Sequence, residues 1–285
     1  MIESPLDMVS FVRDNLFIGH VPNYNGSEIH NFLLFDKSGQ VVKSFDNHVQ
    51  LNRAKPMFFF ASDCSMQPFS ISERVYVKEN ANDTLYCLNE RNELIPQFVF
   101  DLGKYVYSKE RREDGSVTLA SPLESMRGII QVPGDLTPMV GTSNYIYFSI
   151  VARGLPHNIT FPERRETTFV PPPGFQRIDS YENRNVFGIY DIISQKTQLL
   201  DTDPVSRKMG LVNDIDGSLS FWPKYYTSDN ELVDVWQAYD MKEILTEEYF
   251  DAHEIKNPQA HQRLRELLKN LKEDDNPVIV VGKLK

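Results

Sequence analysis

The stretch Asn276-Pro277-Val278-Ile279-Val280-Val281-Gly282-Lys283-Leu284-Lys285 reads as a β-strand, because it is dominated by β-branched residues. It follows a charge-rich stretch with helical periodicity, so it reads as a strand that returns to complete a sheet. A returning strand is how repetitive β architectures avoid an open edge. Working outward, the rest of the chain is a series of short strands without the alternation of strands and long helices that a parallel sheet needs. Asn15 to Val21 is followed by the turn Asn23-Tyr24-Asn25-Gly26. His30 to Phe35 then runs through Asp36-Lys37-Ser38-Gly39 into Gln40 to Phe45, the pattern of an antiparallel hairpin. The middle strand of this group is apolar almost throughout, which predicts cover on both faces.

The pattern recurs. Met57 to Ala61, Ile71 to Val77, Thr84 to Leu88 and Leu94 to Asp101 form a second group, with Asn89-Glu90-Arg91-Asn92 as its last turn. Met126 to Val132, Asn144 to Val151, Val186 to Asp191 and Lys196 to Leu200 form a third. Gly210 to Ile215, Ser218 to Trp222 and Leu232 to Asp240 begin a fourth. A strand ending in a polar turn repeats at Phe35-Asp36, Leu88-Asn89, Tyr190-Asp191 and Tyr239-Asp240, at intervals of 53, 102 and 49 residues. The long interval holds two insertions, near 104 to 118 and 153 to 183, the second carrying Pro171-Pro172-Pro173-Gly174. Repeats of about 40 to 50 residues predict propeller blades over a meandering sandwich. The expected architecture is all-β, a β-propeller of four-stranded antiparallel blades over 5–50, 57–104, 118–201 and 207–285, in one domain. Met241 to Phe250 predicts a short helix. Asn257, as N-cap to Pro258, opens an amphipathic helix over 258–273 with Leu264, Leu267, Leu268 and Leu271 on one face.

The composition sets limits on function. A 285-residue chain with a hydrophobic fraction of 41% can build a packed core, and 12% aromatics suit half-buried strands. A net charge of −10 argues against a nucleic-acid partner, which would need a basic face. No stretch approaches the roughly 20 apolar residues that span a bilayer, and the N-terminus has the pattern of no signal peptide. Cys64 and Cys87 leave a single disulfide and two buried thiols both open.

Three stretches carry a resemblance: Phe35-Asp36-Lys37-Ser38-Gly39; Gly210-Leu211-Val212-Asn213-Asp214-Ile215-Asp216-Gly217 running into Phe221-Trp222-Pro223; and the tail from Asp275 to Lys285. They resemble the six-bladed β-propeller family of Bacteroides and relatives, itself similar to NHL-repeat propellers, along nearly the whole chain. The resemblance implies a periplasmic protein or an outer-membrane-anchored lipoprotein. It also implies that about four blades of a six-bladed pattern are present, without the signal and the first two blades. An edge near residues 10 to 35 would then lack a neighbour, an opening for self-association.

Chemistry is sparse. Asn213-Asp214-Ile215-Asp216-Gly217 has a superficial look of a calcium loop but lacks the full carboxylate spacing and the distal glutamate, and it reads as a hairpin turn. Trp222, Tyr225 and Tyr226 offer rings that stack on sugars or peptides; blade packing is the favoured reading for Trp222, and Tyr225 and Tyr226, in a loop-like stretch, are the better ligand residues. Candidate ligand-binding residues are therefore Trp222, Tyr225, Tyr226, Asp214 and Asp216. No catalytic residue, metal ligand or cofactor is assigned. The six histidines form no H-E-x-x-H pattern, and there is no G-x-S-x-G, P-loop or dinucleotide fingerprint. Arg111-Arg112 and Arg164-Arg165 lie in the insertions and read as solvated loops or anion contacts. The expectation is a non-catalytic binding propeller for a carbohydrate, peptide or protein. An enzyme with a site in the central channel, such as a lyase or hydrolase, and a structural partner subunit are the alternatives.

Overall fold

Fifteen strands form four antiparallel sheets in the computed structural model, which describes residues 5–6, 8–22, 28–48, 69–71, 74–78, 82–101, 136–151, 185–203, 205–206 and 208–283. The sequence readings at Asn25-Gly26, Met57 to Ala61, Cys64, both insertions with their arginine pairs, and Met126 to Val132 lie outside these residues. The first sheet holds β1 (Met8–Arg13), β2 (Leu16–His20), β3 (His30–Asp36) and β4 (Val41–Asp46), neighbours in chain order. The second holds β5 (Phe69–Ile71), β6 (Arg74–Lys78), β7 (Thr84–Leu88) and β8 (Leu94–Val99), again in chain order. The third holds β9 (Leu136–Gly141), β10 (Tyr145–Val151), β11 (Asn185–Asp191) and β12 (Lys196–Leu199), and the last β13 (Tyr225–Tyr226), β14 (Glu231–Trp236) and β15 (Val278–Lys283). Three helices separate β14 from β15: α1 (Ala238–Ile244), α2 (Glu247–Asp251) and α3 (Pro258–Asn270).

Several sequence expectations are corrected here. Ile71 to Val77 is not one strand: the chain reverses, and Ile71 pairs with Arg74. Gly210 to Ile215 and Ser218 to Trp222 are not strands but share one isolated bridge, Leu211 to Phe221. Tyr239-Asp240 is not a turn. It lies in α1, because Ala238, Met241 and Leu245 bury one helical face. Met241 to Phe250 is two helices, broken where the Thr246 side chain caps α2 by accepting from Tyr249 N–H.

The other three polar turns share one construction. Each joins the third strand of its sheet to the fourth, and each rests on an Asx side chain at the strand end. Asp36 Oδ1 accepts from the N–H groups of Ser38 and Gln40 at 2.8 and 3.0 Å. Asn89 Oδ1 accepts from Arg91 and Glu93 at 2.9 and 2.8 Å. Asp191 Oδ1 accepts from Ile193 and Ser194 at 2.9 and 3.1 Å. Each loop then needs one residue at positive φ, supplied by Gly39, Asn92 and Gln195. In the last sheet, which has three strands, the helices occupy the connection from the second strand to the third.

The described residues divide into two compact units. The first takes those within Met1–Ser143, Phe148–Pro156 and Thr168–Asn185. The second takes those within Asn144–Tyr147, His157–Thr167 and Val186–Lys285. In the first unit, Ile18, Phe32, Leu34 and Phe45 of one sheet pack on Val75, Val77 and Leu88 of the next. Each such side chain contributes about 1.5–3 kcal/mol on burial. The opposite face of β3 packs Leu33 and Phe35 with Val21, so both faces are covered as the apolar run predicts. Arg13 reaches from β1 to the Asn89 turn and donates to the carbonyls of Asn89 and Glu90 at 3.2 and 3.1 Å.

In the second unit the core is Leu219, Trp236, Ala238, Met241, Leu245, Tyr249, Phe250, Leu264 and Leu271, with Val278 and Val280 packed against it. β15 pairs with β14 over six consecutive residues, from Glu231–Lys283 to Trp236–Val278, and completes this sheet at its edge. In α3, Asn257 is the N-cap, its side chain accepting from Ala260 N–H at 3.1 Å, with Pro258 in the first turn. Leu264, Leu268 and Leu271 face the core, while Leu267 turns to solvent.

Candidate functional site

The five residues singled out in the sequence all belong to the second unit but do not share one environment. Trp222 is buried, stacked on Phe187 (centroids 4.4 Å apart, planes at 6°) and edge-on to Tyr147 at 5.8 Å. Its ring takes part in the packing of the unit. The Trp222 backbone N–H donates to Asp234 Oδ2 at 3.0 Å, and the same oxygen accepts from Trp236 Nε1 at 2.9 Å. Asp234 is buried in the middle of β14, also accepts from Val235 N–H at 2.8 Å, and lies 3.4 Å from Lys224 Nζ. This carboxylate, which ties both tryptophans to one strand, was missed in the sequence, where nothing sets it apart among 40 acidic residues.

Asp214 and Asp216 hold the start of α3. Within the loop, Asn213 Oδ1 accepts from Ile215 N–H at 3.2 Å and Asp216 Oδ1 from Ser218 N–H at 3.0 Å. Its carbonyls face the approach to the helix. Lys256 N–H donates to Asp214 O at 2.7 Å, Asn257 N–H to Ile215 O at 2.8 Å, and His261 Nδ1 to Asp216 O at 2.7 Å. The Asp214 carboxylate pairs with Lys256 Nζ. Gly217 sits at φ +73°, and a Cβ there would lie 2.9 Å from Ile255 Cγ1. The loop is a seat for the helix, and among the described residues no three or more His, Cys, Asp or Glu side chains gather in a way that could hold a metal ion.

Tyr225 stands in a different setting. β13 holds it opposite Val233, which lies opposite Val281 of β15, and Val235 lies opposite Ile279 on the same face. Tyr225, Ile279 and Val281 are 62%, 68% and 52% exposed. The β13–β14 turn is fixed by Thr227, whose Oγ1 accepts from Asp229 and Glu231 N–H groups at 3.3 Å, and by Asn230 at φ +60°. The Tyr226 hydroxyl bonds Asn230 Oδ1 and is thereby held in that turn. The pairing of β13 with β14 thus presents one exposed aromatic ring on an apolar strip.

One pair was invisible in the sequence. His253 Nε2 meets Asp203 Oδ2 at 2.5 Å, and His253 Nδ1 meets the Tyr249 carbonyl at 2.6 Å. Asp203 also accepts from the N–H groups of Val205 and Ser206 at 3.0 and 2.5 Å. Burial works to raise the Asp203 carboxyl, but the His253 and Ser206 hydrogen bonds outweigh it and hold it below its usual range. Burial likewise works to lower His253, and the Tyr249 carbonyl and Asp203 outweigh it and raise its pKa. Both ring nitrogens are committed, so neither is left to activate a nucleophile, and the pair acts as a staple between α2 and the loop after residue 202.

No helix among the described residues is long and apolar enough to cross a membrane. No curated protein matches the sequence. Among solved structures, a "Putative exported protein" of Bacteroides fragilis NCTC 9343 is similar, with a TM-score of 0.57 at 12% identity, covering 100% of this chain and 67% of that one. At this identity the likeness is one of fold. The similarity is to a Bacteroides protein, as the sequence resemblance implies, but the matches name neither a propeller nor an NHL-repeat family. The family model described as Domain of unknown function (DUF4934) matches residues 2–283, and the chain belongs to that family.

Proposed function

We propose that this chain is a non-catalytic recognition module built on propeller blades, with Tyr225 as its ligand-contacting ring and a carbohydrate as its ligand. The observation that carries this reading is the exposure of Tyr225 on β13, in line with Val233 and Val281. A phenol ring stacks on the apolar face of a sugar while its hydroxyl bonds the sugar's rim. Chain-order sheets and the Asx turn repeated at the third connection of three of them support the blade reading. The export assigned to the Bacteroides fragilis neighbour supports a place outside the cytoplasm, where glycans are met.

A glycan array, followed by titration calorimetry of the hits, tests the proposal. Tyr225→Ala is expected to weaken binding about tenfold, the loss of one stacking contact, with an unchanged melting temperature. Equal affinity in wild type and Tyr225→Ala, or the absence of any glycan ligand, overturns it. Binding of peptides instead of glycans at Tyr225 would keep the surface and replace the ligand class.

A further inference from the structure

The outward face of the last sheet is sorted by chemistry. In β14, Leu232, Asp234 and Trp236 are buried, so Glu231 and Val233 lie on the opposite face. In β15, Val278 and Val280 pack on the core, so Val281 and Lys283 share that outward face. The register sets Tyr225 opposite Val233 and Val233 opposite Val281, and one row further along it sets Glu231 opposite Lys283. One row therefore carries a ring and two apolar side chains, and the next carries a carboxylate beside an ammonium group. Opposite charges facing each other across strands ordinarily pair. Among the described residues, however, neither the Glu231 carboxylate nor the Lys283 ammonium makes a hydrogen bond or ion pair. Their acceptor and donor capacity is open to a ligand beside the ring.

We propose that Glu231 and Lys283 select the glycan: a neutral oligosaccharide of at least two sugar units, one stacked on Tyr225 and the next held by the charged pair through adjacent hydroxyls. This rests on Tyr225 as the stacking ring. Length follows from spacing. With strands about 4.8 Å apart and about 3.4 Å per residue along each, the Tyr225 backbone stands roughly 10 Å from the midpoint of the Glu231–Lys283 pair, more than one sugar ring covers. Val233 and Val281 floor the interval with apolar surface. Neutrality follows from charge. A sugar hydroxyl both donates and accepts, so of two adjacent ones the first donates to the carboxylate and the second accepts from the ammonium. An acidic sugar would meet the Glu231 carboxylate on a chain of net charge −10, and an amino sugar would set its own charge against Lys283.

Titration calorimetry of the full chain tests this, with neutral glucans, galactans and xylans as mono-, di- and tetrasaccharides, beside tetragalacturonate and a deacetylated chitosan tetramer. A neutral tetrasaccharide is expected to bind at least tenfold more tightly than its monosaccharide and than either charged tetramer. Glu231→Gln and Lys283→Met should each weaken the neutral tetrasaccharide about tenfold, the loss of one charge-assisted hydrogen bond. Glu231→Lys should gain binding of tetragalacturonate, which a mere loss of folding does not produce. Should Glu231→Gln fail to melt cooperatively, Lys283→Met, at an exposed position, decides. A monosaccharide bound as tightly as its tetrasaccharide, a charged tetramer bound as tightly as the neutral one, or indifference to both Glu231→Gln and Lys283→Met overturns this inference; if Tyr225→Ala still weakens binding, the stacking ring survives it. Binding indifferent to Tyr225→Ala, or none to any of these sugars, overturns the stacking ring and this inference together.

Discussion

His253 has an acceptor at each ring nitrogen, the Tyr249 carbonyl and the Asp203 carboxylate, so the charged imidazolium satisfies both contacts at once. Its folded pKa is raised, so its stabilisation is fully present below the ordinary histidine value and is lost as pH rises through the raised one. Asp203 is lowered, so its share is present above the ordinary carboxylate value and lost as pH falls through the lowered one. Thermal melts against pH should show a maximum between these limits and a decline on the alkaline side, and His253→Gln should flatten that alkaline limb. His253→Ala leaves the buried carboxylate without its cation and is expected to cost about 3 kcal/mol in a urea titration. Gly217 is a second sensitive position. An alanine there must hold φ near +73° and meet Ile255, so Gly217→Ala should lower stability by about 1–2 kcal/mol. Cys87 is buried, and burial raises its thiol, so in a Cys64→Ser background a thiol reagent should label it only after denaturant is added.

Elements differ in how far local letters decide them. The turns at Asp36, Asn89 and Asp191 were legible because their chemistry is local: a side-chain oxygen reaches backbone N–H groups two to four residues ahead. Tyr239-Asp240 carries similar letters and is helical, since there the burial of Ala238, Met241 and Leu245 decides. β9 was missed because Pro138 argues against a strand, and it is tolerated because β9 lies at a sheet edge. Helix α3 was legible through its cap and leucine spacing, although the spacing alone did not show that Leu267 would turn outward. Of the site, the tyrosines were named and Asp203–His253 was not, since 50 residues separate its members and no spacing rule spans that distance. For α3 the expected costs are about 1 kcal/mol for Asn257→Ala and about 2–5 kcal/mol for Leu264→Ala, measured by chemical denaturation.

At the scale of the whole molecule, the two tryptophans of the sequence, Trp222 and Trp236, both belong to the second unit. Fluorescence therefore follows that unit, whereas far-UV dichroism follows strands of both. The two urea transitions are expected not to coincide. Leu264→Ala should move the fluorescence transition and leave a component of the dichroism in place; coincident transitions that shift together would show one cooperative structure. The helices set between β14 and β15 bear on folding. Where residues 37–40 suffice to join β3 to β4, residues 237–277 lie between β14 and β15. That loop is roughly tenfold longer, and closing it costs about 2 kcal/mol more in chain entropy. The ladder of the last sheet cannot zip from its own turn, so it must wait for α1, α2 and α3 to bring the ends together. Amide protons of β15 should accordingly exchange with solvent in step with those of α3, as one opening event, and not with those of the short hairpins.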